Sequence, residues 1–249
     1  MVRVTHIWRH PVKALGCEAV ERATLTTGRT MPFDRVWAIL QQGGAFDPAA
    51  PAWTSKKAFN QGAKTQAFMA IRCAFDETAN RITLTHPERP DITLDPDAEP
   101  QALLDWITPL VPAEQPQPAG IAKLEGNSLT DQEAPYISII ANASLAALSD
   151  MAGRPLEQER FRANIWLDGL APWEEFDWIG QDIRIGTATL RVEARIGRCI
   201  ATTANPATGI PDVDTLALLR KNCGHRDLGV FARVIDGGTV ALNDTMEVL

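Results

Sequence analysis

The chain has 249 residues, more than the ~150 of a typical single domain, so it holds one elaborate domain or two intimate ones, and either can bury a large core. A net charge of −7 and a sequence pI near 5.2 argue against a nucleic-acid or anionic-membrane surface, which needs a concentrated basic face. Cys17, Cys73, Cys199 and Cys223 are scattered and form no Cys-x-x-Cys pair, which excludes the usual zinc and iron–sulfur frameworks.

The start, Met1 to Trp8, lacks the basic segment and apolar run of a secretory signal, and no apolar run approaches the ~20 residues that span a bilayer. A soluble protein of the reducing cytoplasm, with free thiols, is the expectation.

Residues 2 to 8 are predicted as a strand, after which His10-Pro11-Val12-Lys13-Ala14-Leu15-Gly16 turns the chain. Lys13 reads either as an anchor for an anion or as a solvated lysine. Residues 20 to 25 and 34 to 40 are the next strands, with Asp34 and Arg35 expected on opposite faces. Trp53-Thr54-Ser55-Lys56-Lys57 sets two hydroxyls beside two lysines, a phosphate cradle or a solvated turn. Short β runs at 69 to 75, 81 to 85 and 92 to 94 complete a small, mainly antiparallel unit.

Leu103, Leu104, Ile107 and Leu110 share helical spacing behind Pro100. The proline-rich stretch 111 to 118 then reads as a linker, which divides the chain into domains 1–111 and 119–249. In the second half, 136 to 140 is a strand and Asn142 is a candidate cap for a helix ending near Gly153. Arg160-Phe161-Arg162-Ala163-Asn164 leads into the strand 165 to 167, and Trp173 to Trp178 reads as a packed acidic loop edge. A hairpin is expected over 183 to 192, a short helix over 215 to 221 capped by Asp214, and final strands over 229 to 235, 240 to 242 and 246 to 249. The expected fold is mainly β (α+β), with the helices as satellites.

The stretch Arg195-Ile196-Gly197-Arg198-Cys199-Ile200-Ala201-Thr202-Thr203-Ala204-Asn205-Pro206-Ala207-Thr208-Gly209 carries the chemistry. It begins at a strand end and sets one cysteine between arginines and hydroxyl residues. Neighbouring guanidinium groups favour a thiolate, the form that binds metal or attacks an electrophile. The residues alone leave Cys199 open between a functional sulfur and a small buried apolar group. Thr202 and Thr203 either bond a ligand or cap their own turn. His225, in Asn222-Cys223-Gly224-His225-Arg226, could serve Cys199 as the base of a cysteine hydrolase or sit in a capped loop.

Several blocks together resemble the MOSC family, which includes amidoxime-reducing components and the C-terminal domain of molybdenum cofactor sulfurases. They are Arg160-Phe161-Arg162-x-Asn164, Trp173-Glu174-Glu175 with Trp178, Arg198-Cys199-x-x-Thr202, and Asn205-Pro206-x-Thr208-Gly209. His10-Pro11-Val12-Lys13 and Asp34-Arg35-x-Trp37 resemble the β-barrel domain that precedes MOSC in many members. The resemblance implies an N-terminal β-barrel-like domain packed on a MOSC β-barrel with a few peripheral helices.

It also implies a molybdenum cofactor, with Cys199 as the catalytic metal ligand and Lys13, Lys56, Arg162, Asn164, Arg198, Thr202 and Thr203 as cofactor-binding positions. Lys56 stands where relatives often have arginine, and Ala14 where they have serine. A soft thiolate suits such a metal, whose carrier brings its own dithiolene sulfurs. The implied activity is reduction of N-hydroxylated or N-oxygenated compounds. No dinucleotide, flavin or ferredoxin signature supplies electrons, so a separate reductase is the expected partner. The alternative is a non-redox cofactor-binding or sulfur-carrier module with Cys199 as a persulfide; pyridoxal phosphate is also associated with the family, although no lysine motif for it stands out.

Overall fold

Alternation of buried and exposed side chains builds most of the strands, because successive residues of a strand point to opposite faces. In the computed structural model, which describes all 249 residues, Val2–Arg9 (β1), Glu18–Ala19 (β2), Arg22–Leu25 (β3) and Trp37–Gln41 (β4) come first. The meander Arg72–Asp76 (β5), Arg81–His86 (β6) and Arg89–Leu94 (β7) follows, then the helix Pro100–Ile107 (α1) and Pro118–Lys123 (β8). The second half runs Tyr136–Ala141 (β9), Asn142–Ala152 (α2), Ile165–Asp168 (β10), Asp182–Ile185 (β11) and Ala188–Gly197 (β12). It ends with Thr215–Cys223 (α3), Asp227–Asp236 (β13), Gly238–Ala241 (β14) and Thr245–Val248 (β15).

Seven strands close into a barrel in the order β10-β9-β13-β12-β11-β15-β1, with β1 pairing back onto β10. Only β9 and β10 run parallel. The interior is filled by inward residues of every strand, among them Ile7, Ile139, Leu167, Ile185, Val192 and Val230. Each such aliphatic side chain contributes about 1.5–3 kcal/mol on burial. A second core gathers Trp37, Phe68, Phe75, Leu84, Leu103 and Ile107 between the β5–β6–β7 sheet, the β4–β8 pair and α1. The protein is mainly β, as expected.

Strand pairing does not follow the expected division at 111 and 119. The first strand belongs to the large barrel, because Arg3, Val4, His6 and Ile7 pair with β10. Conversely β8 pairs with β4, so 118 to 123 packs with the first half. The proline-rich stretch is tied down too: Asn60 Nδ2 donates to the Pro116 carbonyl, and the Gln42 N–H to the Gln117 carbonyl.

Asp34 and Arg35 lie in a turn ahead of β4, not on two faces of a strand. Residues Gln66–Ala70 form a 3₁₀ turn before β5, which begins only at Arg72. Asn142 does not cap α2; its amide donates to Thr5 Oγ1 and Asp168 Oδ1. Close to the start of α2 is instead the fully buried Glu175, whose carboxylate accepts from Ser144 Oγ at 2.8 Å and from the Ala141 N–H at 3.5 Å. Burial pushes its pKa up, partly offset by these hydrogen bonds. Gly153 does end α2 in the left-handed conformation, and Asp214 caps α3 by accepting from the Ala217 N–H.

Candidate functional site

Where β1 leaves the barrel, the chain delivers His10 to Ala14 into the junction between the two cores. The His10 N–H and Nδ1 both donate to Asp34 Oδ1, at 2.9 and 3.0 Å. The other oxygen of Asp34 accepts from Arg35, whose second arm donates to the Arg162 carbonyl at 2.9 Å. Arg162 Nη1 in turn donates to the Gly16 carbonyl at 2.8 Å. Burial and the charges of Arg35 and Arg162 lower the His10 pKa to about 3, so its ring is neutral. Burial alone would raise the Asp34 pKa, but the Arg35 charge and the His10 hydrogen bond hold it below the usual carboxylate range.

Beside this network lies a cavity of about 410 Å³. Ala14, Arg35 and Arg162 all line it, and all three are non-glycine residues with positive φ, at 66°, 54° and 48°. Such backbone conformations are uncommon outside glycine and collect where a site over-determines them. Cys199 reaches the cavity from the end of β12, and its thiol is exposed. The 3₁₀ turn Ile200–Thr203 and the Asn205 turn that follow are pressed against the first half. Gln66 Nε2 donates to the Ile200 carbonyl and to Thr203 Oγ1, and a Cβ at Gly209 would stand 2.6 Å from the Ala67 Cα.

Seven of the eight expected positions line the cavity: Lys13, Lys56, Arg162, Asn164, Arg198, Cys199 and Thr202. Thr203 does not. Lys13 is buried rather than solvated, with Nζ donating to the Leu129 carbonyl at 2.8 Å and to Asp131 at 2.6 Å. Burial lowers its pKa, against the pull of Asp131. The same carboxylate holds Lys56 at 3.3 Å. Ser55 Oγ accepts from the Lys57 N–H and Thr54 Oγ1 donates to the Ala52 carbonyl, so both hydroxyls of the expected cradle serve their own turn.

Four more of the eight are engaged by the protein itself. Arg198 is fully enclosed and donates to the Leu228 and Phe161 carbonyls; burial lowers its pKa to about 9. Asn164 Oδ1 accepts from the Ser138 N–H and hydroxyl, while its amide donates to the Trp8 carbonyl. Thr202 donates to the Cys199 carbonyl and pairs with the Thr215 hydroxyl at 2.6 Å; Thr203 donates to the Ile200 carbonyl. Of the two readings open for these threonines, both cap their own turn. Arg162 differs: the residue lines the cavity, and its Nη2 is buried without a hydrogen-bond partner.

His225 does not line the cavity, and its Nδ1 accepts from the Asp227 N–H, so it is not brought to Cys199. Asp131, Tyr136 and Phe231 do line it, although the sequence marks none of them for the site. Tyr136 and Phe231 read as ordinary strand residues, and Asp131 lies in a polar stretch without a motif; only their spatial neighbours identify them. No three His, Cys, Asp or Glu side chains cluster to hold a metal.

Residues 127–247 match the family model of the MOSC domain, and residues 1–106 that of the MOSC N-terminal beta barrel domain. Mitochondrial amidoxime-reducing component 1 of Xenopus laevis is 31% identical over 94 residues, covering 36% of this chain and 27% of that protein. Component 2 of Homo sapiens is 34% identical over 86 residues, covering 33% and 25%. The matched stretches thus span about a quarter of the length of these curated relatives. Among solved structures, the YUAD protein of Bacillus subtilis superposes with a TM-score of 0.49 and 16% identity, covering 100% of this chain and 96% of that one. With the two family models accounting for most of its length in succession, the chain belongs to the MOSC family, a MOSC domain preceded by its N-terminal β-barrel domain.

Proposed function

We propose that the protein binds a molybdenum cofactor and reduces N-hydroxylated or N-oxygenated compounds with electrons from a separate reductase. The observation that carries this reading is the exposed Cys199 on a cavity that Arg162 also lines, with the Nη2 of that arginine buried and unpartnered behind the wall. A metal already chelated by its carrier needs only one soft ligand from the protein, and an orphaned guanidinium N–H next to a cavity is a donor in want of an acceptor. The residues present fit that group: one cysteine sulfur, the Arg162 guanidinium, and the ammonium groups of Lys13 and Lys56, which a phosphate would share with Asp131. The relatives' names, which specify amidoxime reduction, support the substrate class.

Bound there, the cofactor supplies two-electron reduction, in which an N–OH compound, two electrons and two protons give the N–H compound and water. Cys199 would hold the metal, and Arg162, Lys13 and Lys56 would anchor the carrier's polar end. Arg198, Thr202 and Thr203 fix the turn that presents Cys199, and Asn164 ties the wall to Ser138 and Trp8. The four free cysteines support a reducing, cytoplasmic setting.

Wild type and Cys199→Ser, expressed in a host that makes the cofactor, test the reading through molybdenum content and benzamidoxime reduction with reduced methyl viologen as donor. Loss of both in Cys199→Ser is expected. Equal metal and equal rates in the two proteins would defeat it, and one molybdenum per wild-type chain without turnover would establish the carrier role instead.

A further inference from the structure

The outer faces of β9 and β13 carry an aromatic pair that the reading above leaves without a task. Tyr136 pairs with Arg233 and Ser138 with Phe231 across these strands, while Ile137, Ile139, Val230 and Ala232 point into the barrel. The Tyr136 and Phe231 rings stack at 5.1 Å with 17° between their planes, and both line the cavity.

Tyr136 is fixed from behind. Its hydroxyl donates to Glu193 at 2.7 Å, Arg233 donates twice to the same carboxylate, and the Arg233 guanidinium lies 5.8 Å from the Tyr136 ring centre. The Arg233 guanidinium and the Phe231 ring thus both pack against the Tyr136 ring. No further ring or guanidinium of the chain lies over Phe231, which is half-buried.

The direction of the stack follows from register. Gly197, two residues before Cys199, pairs with Asp227, at the opposite end of β13 from Arg233. Tyr136 therefore stacks on Phe231 from the side of the sheet remote from Gly197, and Phe231 lines the same cavity as Cys199. Ser138 and Gly197 line the intervening wall, and a Cβ at Gly197 would find only Asp227 Oδ1, at 3.6 Å. From Ala194, opposite Phe231, β12 runs three residues further to Gly197, roughly 10 Å at ~3.3 Å per residue, and Cys199 follows two residues later. The cavity of about 410 Å³ that Phe231 and Cys199 both line is large enough for an aryl ring carrying an N–O group.

We infer that Phe231, backed by Tyr136, is a stacking platform for the aryl ring of the substrate, so that the site selects planar aromatic N-hydroxylated compounds over aliphatic ones. The inference rests on the cavity being the N–O-reducing site. The uncovered face of a held ring offers an incoming ring offset stacking in a partly desolvated slot.

The test compares benzamidoxime with acetamidoxime on molybdenum-loaded wild type, Phe231→Leu and Phe231→Tyr, with reduced methyl viologen as donor. In Phe231→Leu the ratio of the two kcat/KM values is expected to fall about tenfold, chiefly through the benzamidoxime KM, with molybdenum content unchanged. Phe231→Tyr restores the ratio. Phe231→Met carries the same test if the leucine variant does not fold. A ratio within twofold of wild type overturns the inference, as does loss of molybdenum in Phe231→Leu, which would make the ring a cofactor contact. Calorimetric binding of benzamidoxime to the loaded, oxidised proteins separates this from the function itself. If wild type holds molybdenum but turns over neither compound, the reductase reading fails; a tenfold weaker Kd in Phe231→Leu then still sustains the platform, and an equal Kd ends it.

Discussion

Replacing Asp34 by alanine removes the acceptor on which the junction converges. The carboxylate is 2% exposed and accepts from the His10 N–H, His10 Nδ1 and Arg35 Nη1. An orphaned buried N–H costs about 1–3 kcal/mol, and breaking a buried ion pair from one side about 3–5 kcal/mol. These losses share one network and do not add, so the expected destabilisation is about 4 kcal/mol. For a chain of this size that lowers Tm by about 8–16 °C. Urea unfolding at pH 7.5, followed by tryptophan fluorescence, measures it directly. Asp34→Asn, which keeps one acceptor oxygen, should lose roughly half as much. A loss below about 1 kcal/mol for the alanine variant would refute the claim that this carboxylate holds His10 and Arg35 in place.

Acid stability follows from His10. Its folded pKa of about 3 lies below the ~6.5 of the unfolded chain, so below pH 6.5 the unfolded state takes up a proton that the folded state refuses. Stability from this group therefore falls as pH drops, by about 2 kcal/mol between pH 6.5 and 5, and His10→Gln should flatten the urea-midpoint profile over that window. Asp34 acts with the same sign lower down, its contribution present above its unfolded pKa near 3.9 and lost as the pH falls. Arg198→Lys keeps the charge but not the fork that serves the Leu228 and Phe161 carbonyls. It should lower the melting stability of cofactor-free protein by about 1–3 kcal/mol, whereas a residue that only touched cofactor would leave that melt unchanged.

Local signals survived folding where the chain's near neighbours decide the conformation. The Gly186-Thr187 hairpin, the Asp214 cap, the Gly153 stop and the placement of Cys199 at a strand end are all of this kind. What could not be read was set by partners far along the chain. β1 joins β10 and β15 across more than 150 residues, and β8 is drawn back to β4. The Asp34-Arg35 pair reads as strand, yet Arg35 bends into the left-handed region where it meets the Arg162 carbonyl. Asn164, Arg198, Thr202 and Thr203 have the chemistry of ligand-binding residues, and only the coordinates reveal that barrel carbonyls, Ser138 and Thr215 have already claimed it.

The exchange of β1 across the expected boundary explains why the site lies where it does. A strand held in the barrel by β10 on one side and β15 on the other has a fixed exit, so His10 to Ala14 enter the first half at a set place. That exit aligns the His10–Asp34–Arg35 network with Arg162, which arrives from the 3₁₀ turn before β10, the strand β1 pairs with. Three strained backbones at Ala14, Arg35 and Arg162 cost of order 1–3 kcal/mol each, more than a hinge between independent domains would sustain. They persist because both cores pin the same few residues. The cavity is therefore a product of the two halves together, and excising either half at the proline-rich stretch would remove a barrel strand along with one wall of the site.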